Sequence, residues 1–539
     1  MTETTVREAV YDFCRRTGMT TFFGNPGSTE LKMFRDFPED FSYVLGLQES
    51  VVVATAAGHA LGTGRAALVS LHSAGGVGHA LGAVFNAHRD RVPLVIFAGQ
   101  QGRAMLPARP FLSADEPAQF PRPYVKWSRQ PDRAEDVPAA LAEAYRVAMT
   151  PPRGPVFLSV PEDDWDRPAE RVPVREVHSE FGASPAALRE VADALNAARN
   201  PVVVVGSGVE DERAMPLVVD LAERTGAHVW ISPLSGRSGF PEDHRLFRGF
   251  LPPVRSLLRE RLEGHDVVLV LGTQVFTYHV ESDGPVVPEG SRLFHFDCDP
   301  AQTAWAPVGT SVLTTIRAGV SGLLDLVDPE AAGKLGRTPP ERRTLPATPL
   351  PTDPMDIGYV LDTLRDLLPE DTVIVEECPS HRDAFHSRMP ITTTGGFLTS
   401  GSGALGWSLP LAVGRALTAA PGQRIVCVIG DGSSMYSIQA LWTAAQHNVP
   451  MTVVVLNNNG YGAIRALGRR IDMDRVPGAD ITGLDFATIA RGLGVPGGTV
   501  TSAAGLAEAL TGALAHEGPY LVDVAVADDD STLYEPWAR

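Results

Sequence analysis

Lysine is almost missing from the 539-residue chain. Lys32, Lys126 and Lys334 are the only three, and arginine carries nearly all of the positive charge. Schiff-base chemistry therefore has few candidate amines, which shifts any carbanion chemistry toward a cofactor. Cysteine is just as scarce: Cys14, Cys298, Cys378 and Cys427 lie far apart with no C-x-x-C pair, indicating neither a disulfide framework nor a zinc site. The formal net charge is −18, so no basic face is on offer to the phosphates of a nucleic acid. Long apolar runs are absent too. No stretch approaches the roughly eighteen residues a membrane helix needs, and the opening MTETTVREAVYDF is polar and amphipathic, without a signal peptide's apolar core. The expectation is a cytoplasmic protein that binds neither nucleic acid nor membrane.

What is present is an apolar content of 44%, ordinary for a globular protein, in a chain too long for one core. Helical and strand patterns alternate throughout, which points to the α/β class with three doubly wound parallel-sheet domains. Composition places them at 1–165, 185–327 and 357–539. The linkers are 166–184 and 328–356, both dense in charge and proline and without periodicity. The middle stretch has a GSG after the strand PVVVV but lacks the G-x-G-x-x-G spacing, so it reads as a strand-to-helix turn. The first and last thirds close in the same style, with GPVFLSVP and GPYLVDVAV, which suggests a shared topology.

The chemistry concentrates in residues 426–462. An apolar strand, Val426 to Ile429, ends in Gly430-Asp431-Gly432, where a helix is expected to begin. A second strand, Met451 to Leu456, ends in Asn457-Asn458-Asn459-Gly460. Both loops then open at the carboxyl edge of one parallel sheet, where α/β proteins bind ligands. The Asp431 carboxylate, the Asn458 amide oxygen and the Gly460 carbonyl are hard ligands suited to Mg²⁺ or Ca²⁺, with phosphate and water completing the shell. The glycines let backbone N–H groups approach that phosphate.

GDG followed by NN is the cofactor motif of the thiamine diphosphate (ThDP)-dependent decarboxylases and carboligases, and the chain resembles them almost throughout. FGNPGS, LQE, LHSAGG, AGQQ, PRPYVKWS, VFTYH, LGWSLP and GDGSSMYSIQALWTAAQ, in this order, are similar to the benzoylformate decarboxylases. That resemblance implies a pyrimidine-binding, a central and a diphosphate-binding domain. It also implies a homotetramer, a dimer of dimers, with ThDP between the pyrimidine domain of one subunit and the diphosphate domain of another. Glu49 would contact the pyrimidine N1′ and promote the imino tautomer. His72 and His279 would stand over the thiazolium as proton donors, and Ser28 would hold the substrate carboxylate, with Asn25 and Gly27 shaping its loop. Leu405 would wedge the cofactor into its bent form, Gly403 would offer a carbonyl to the aminopyrimidine, and Ser433 and Tyr461 would join Gly430, Asp431 and Gly432 around the diphosphate. His79 is expected to be structural.

The implied reaction is non-oxidative decarboxylation of an aromatic or related 2-oxo acid, benzoylformate-like, to an aldehyde and CO₂ through an enamine on the cofactor. The alternative is a carboligase that joins the same enamine to an acceptor carbonyl, and a third reading is a catalytically silent scaffold. The residues leave open whether a flavin binds. Two departures concern the substrate: Thr399 and Leu467 align where the family carries phenylalanines around the aryl ring. Phe111 and Leu112 are candidates for other walls.

Overall fold

The computed structural model describes residues 4–337, 340–528 and 533–534. Runs such as Pro201–Val205 (PVVVV) and Val267–Leu271 (VVLVL) are buried from end to end. Strands with no polar face need helices on both sides, which favours parallel sheets. Three six-stranded parallel sheets result. The first holds β1 Thr21–Gly24, β2 Ser42–Leu45, β3 Ala67–Leu71, β4 Leu94–Gln100, β5 Ser128–Arg129 and β6 Val156–Pro161, in the order β2-β1-β3-β4-β6-β5. The second holds β7 Pro201–Val205, β8 His228–Ile231, β9 Phe247–Phe250, β10 Val267–Leu271, β11 Arg292–Asp297 and β12 Thr310–Leu313. Its order, β9-β8-β7-β10-β11-β12, runs outward in two halves from β7 and β10. The third holds β13 Val373–Glu377, β14 Phe397–Thr399, β15 Ile425–Gly430, β16 Met451–Asn457, β17 Gly497–Val500 and β18 Tyr520–Ala525, as β14-β13-β15-β16-β18-β17.

The outer sheets therefore repeat one strand order, matching the echo between GPVFLSVP and GPYLVDVAV. In the middle sheet the GSG turn at 206–208 is packed against backbone: a Cβ on Gly208 would lie 2.8 Å from the Gly272 Cα. All four cysteines are free and buried. Among the described residues no helix is long and apolar enough to cross a membrane.

A helix pair joins the outer sheets. Helix Glu49–Thr63 is buried on nearly every face and crosses helix Ser408–Ala416 at two glycines. A Cβ on Gly58 would sit 2.0 Å from the Leu411 carbonyl oxygen, and one on Gly414 would sit 1.8 Å from that of Thr55. Only hydrogen at both positions allows so close a crossing. The second helix is in turn fixed at its start by Glu377, at the end of β13. Its carboxylate accepts from the N–H groups of Gly406 (2.7 Å), Trp407 (2.9 Å) and Ser408 (2.7 Å). Burial pushes this carboxyl up to about 7, against the pull of those three donors.

The helix expected to run on from Gly432 is broken. A single turn, Asp431–Ser434, ends where the Ser434 hydroxyl bonds back to the Asp431 carbonyl (2.7 Å), and the next helix starts at Ala440. Between them Tyr436 packs on the positive-φ turn at Gly406.

Glu377→Ala leaves three backbone donors in a dry interior without an acceptor. At ~1–3 kcal/mol for each unsatisfied group, reduced where water enters the vacated space, the expected loss is about 3 kcal/mol. Urea denaturation followed by circular dichroism measures it.

Candidate active site

One cavity of about 210 Å³ gathers most of the residues singled out in the last third of the chain. Gly430, Asp431, Gly432 and Ser433 enter it from the end of β15, Asn458, Gly460 and Tyr461 from the end of β16, and Gly403 and Leu405 from the turn before helix Ser408–Ala416. β15 and β16 are paired neighbours in register, so their two loops open side by side. Leu467 lines the same space, and so does His279, brought by the loop after β10. The His279 backbone N–H donates to the Pro253 carbonyl (2.8 Å), which holds the loop but leaves the side chain exposed.

The Asp431 carboxylate is buried and accepts from the N–H groups of Gly432 (2.6 Å) and Gly460 (2.8 Å). Burial nonetheless pushes its carboxyl up to about 6. The Asn458 amide nitrogen beside it is buried with no hydrogen-bond partner. A Cβ on Gly432 would meet the Tyr461 ring at 2.5 Å, whereas one on Gly403, at φ +78°, would meet nothing within 4 Å. An orphaned amide, a carboxylate in want of a positive neighbour and bare backbone at the rim suit an anionic group bound together with a cation. The cation alone is poorly served, since the described residues contain no cluster of three His, Cys, Asp or Glu side chains.

The amino-terminal candidates form a second cluster, and none of Ser28, Glu49 or His72 lines the first cavity. Glu49 opens its helix, buried, with Asn25 Nδ2 at 3.4 Å and His79 Nδ1 at 3.2 Å from its carboxylate oxygens. His79, expected to be structural, is thus a direct neighbour of Glu49. His72 follows β3 and is gripped by Glu30, whose Oε2 lies 3.0 Å from Nδ1. The other Glu30 oxygen accepts from the Thr29 hydroxyl (2.6 Å) and the Gly99 N–H (3.1 Å). Ser28 begins the turn Ser28–Glu30 with its side chain exposed, and Gly27 lies so close to His72 that a Cβ there would fall 2.1 Å from Nδ1.

Three residues expected as walls do not line this cavity. Thr399 does not line the cavity: it is buried, its hydroxyl donating to Glu376 (2.8 Å) and accepting from Arg382 (3.1 Å). Phe111 is 85% exposed, and Leu112 belongs to the amino-terminal cluster, its carbonyl accepting from the Ser73 hydroxyl next to His72. Sequence reasoning missed Glu30, and it missed Ser380, His381, Ala463 and Ile464 in the cavity wall. The segment CPSH directly follows the apolar strand β13, so the edge rule that found Asp431 and Asn458 applies equally to it. A larger cavity, about 350 Å³, lies where the three sheets meet; two of its arginines are engaged, Arg91 with Asp297 and Arg237 with Asp211, and it contains none of the motif residues.

Comparison with known proteins agrees with this division. Residues 4–118 match the N-terminal TPP binding domain of thiamine pyrophosphate enzymes, 188–323 the central domain and 380–524 the C-terminal TPP binding domain. The chain is 42% identical over 527 residues to a benzoylformate decarboxylase of Pseudomonas aeruginosa, covering 96% of this chain and 98% of that protein. It superposes on the thiamine diphosphate-dependent 4-hydroxybenzoylformate decarboxylase of Rhodococcus jostii RHA1 with a TM-score of 0.94, at 39% identity, covering 98% of this chain and 100% of that one. The benzoylformate decarboxylase of Polynucleobacter necessarius gives 0.94 at 36% identity, with the same coverage.

Two alanine substitutions separate close approach from mere flexibility. Gly27→Ala forces the loop off the His72 ring and is expected to cost ~1–3 kcal/mol in urea denaturation. Gly82→Ala, in the helix Ser73–Arg89 with nothing within 4 Å of the new Cβ, is expected to stabilise by ~0.5–1 kcal/mol.

Proposed function

We propose, from the premise that this chain belongs to the thiamine pyrophosphate enzyme family beside the benzoylformate decarboxylases, that it decarboxylates an aromatic or related 2-oxo acid to an aldehyde and CO₂. The observation that carries the reading is the single cavity in which His279 meets Gly403, Leu405, Asp431, Asn458 and Gly460.

Thiamine diphosphate, when bound, supplies the electron sink that lets a carboxylate leave as CO₂. In the proposed assignment Asp431, Asn458 and the Gly460 carbonyl would hold Mg²⁺ with the diphosphate, and Gly430, Gly432, Ser433 and Tyr461 would surround it. Leu405 and the Gly403 backbone support the rings. Glu49 would hold the proton shared with the pyrimidine N1′, and Asn25 and His79 keep its carboxylate in place. Ser28, at the exposed start of its turn, offers a hydroxyl to the substrate carboxylate. His72, oriented by Glu30, and His279 deliver protons to the carbon that loses CO₂. The separation of the Glu49 cluster from the cavity within one chain favours a site completed across a subunit interface, in a homotetramer. Ala463, Ile464 and Leu467 make the substrate side aliphatic. Losing edge-to-face partners for an aryl ring forfeits only ~0.5–1.5 kcal/mol each, so an aryl substrate is still accepted and discrimination against branched aliphatic 2-oxo acids is weaker.

The test is CO₂ release from benzoylformate, its 4-hydroxy derivative and a panel of aliphatic 2-oxo acids, with free aldehyde and hydroxyketone both followed. Silence across the panel overturns the reading, and hydroxyketone as the main product replaces it with carboligation. The metal assignment makes a separate prediction. A cation requires the Asp431 carboxylate, and that carboxyl is raised to about 6. Binding of Mg²⁺ and thiamine diphosphate to dialysed protein is therefore full above that pH and weakens about tenfold per unit below it. Asp431→Asn is expected to weaken binding at least ~100-fold and to flatten this pH dependence, as read by tryptophan fluorescence.

A further inference from the structure

The His279 ring has one hydrogen-bond partner among the described residues, and it comes from the far end of the chain. The Tyr534 hydroxyl lies 2.8 Å from His279 Nδ1, and the two rings meet edge to face, 5.7 Å between centroids at 79°. Two further contacts anchor the segment that carries Tyr534. Leu533 is buried and its carbonyl accepts from Arg470 (2.8 Å), just past the helix Gly462–Arg469 that presents Ala463, Ile464 and Leu467 to the cavity. The Tyr534 N–H donates to Asp383, at the start of the helix Arg382–Arg388. The tail thus spans from two helices of the third sheet's domain to a loop of the second.

We infer that Tyr534 is a positioning residue for His279, its hydroxyl fixing the orientation and tautomer of the imidazole at the cavity. The inference rests on the decarboxylase reading, in which His279 delivers a proton. An exposed imidazole on a loop, tied only through its backbone, samples several rotamers. A hydrogen bond at Nδ1 with a ring edge packed beside it selects one. Burial pushes the Tyr534 phenol up to about 12, so it stays a neutral O–H wherever the enzyme works. A phenol donating to Nδ1 leaves the imidazole proton on Nε2, the nitrogen free for the cavity, and Nε2–H is the form that donates. Among the described residues the charged and titratable groups around this pair include Arg382, Asp383 and Arg470 beside the phenol, Glu260, Arg261 and His386 in the pocket that Tyr534 also lines, and His381 and Asp431 in the cavity wall. Arg382 is itself held by Glu376 (3.1 Å).

The test is Tyr534→Phe, which removes only the hydroxyl. In enzyme with thiamine diphosphate and Mg²⁺, kcat is expected to fall about tenfold, with KM within twofold and a displaced pH profile of kcat. A chain ending at Leu533 is expected to behave alike and serves if Y534F does not fold. In a His279→Ala background, Y534F is expected to change nothing further, since a residue acting through His279 has nothing left to act on. Wild-type kcat and pH profile in Y534F overturn the inference, as does an equal loss in the His279→Ala background. ¹⁵N NMR of the labelled imidazole reads the tautomer without turnover. Nε2–H in wild type and a mixture in Y534F is the expected result, and identical spectra overturn the inference. An inactive wild-type enzyme refutes the decarboxylase reading, while the spectra still decide whether Tyr534 sets the ring.

Discussion

Two glycines facing two carbonyls hold the active-site frame together. Where Gly58 meets Leu411 and Gly414 meets Thr55, helices from the first and third sheets pack backbone to backbone, at a separation that a single methyl would forbid. Each helix begins at a group to which the proposed chemistry assigns a role: Glu49 opens one, and the other follows directly from the turn bearing Gly403 and Leu405. The crossing therefore sets the position of Glu49 relative to that turn within each chain. Glu377 completes the frame by collecting three N–H groups that the helix start cannot satisfy for itself. A buried carboxylate with three backbone donors is costly to place and costly to disturb, so it fixes the turn firmly.

The repeated strand order of the outer sheets explains why the site has two halves. In each sheet the loop after the third strand in sequence carries a functional group, His72 after β3 and Asp431 after β15. Neighbouring strand ends carry asparagines, Asn25 after β1, which donates to Glu49, in one sheet and Asn458 after β16 in the other. In the proposed reading one architecture, used twice, would present a proton-handling edge and a diphosphate-handling edge. The middle sheet adds His279 and is tied to the first by Arg91, whose guanidinium donates twice to Asp297 at 3.0 and 3.2 Å. Burial of both partners makes that pair sensitive to loss of either charge, so it acts more as a locating pin than as a source of net stability.

What the sequence disclosed follows from how each feature is encoded. Parallel strands are continuous apolar runs, and glycine at their ends marks close backbone approach, so the GDG and NNNG loops, the three sheets and the repeated topology could be read directly. Glu30 was hidden because a buried acid next to a turn looks like any helix-start carboxylate. Its role appears only when β4 brings the Gly99 N–H and the end of β3 brings the His72 ring to the same carboxylate. For Thr399 the alignment gave a position but not a direction, and in the structure the Glu376–Arg382 pair claims its hydroxyl. The break between Ser434 and Ala440 left no trace in the apolar spacing, since both pieces keep one face toward the core. Tyr534 could not be found by any local rule, because it lies 255 residues from the histidine it touches.

In the proposed reading, the charge in the cavity makes a cation and a diphosphate depend on one another. A cation arriving alone would meet one carboxylate, Asp431, already engaged by two N–H groups and partly protonated near neutral pH. A diphosphate arriving alone would place its charge beside that same carboxylate. In the proposed reading each group is thus unfavourable by itself and together they would cancel: the cation would hold Asp431 in its ionised form and offset the phosphates, while the orphaned Asn458 amide and the glycine backbone would meet what remains. On that proposal binding would be cooperative by electrostatics, and a carboxyl pushed up to about 6 would make the cooperativity dependent on pH.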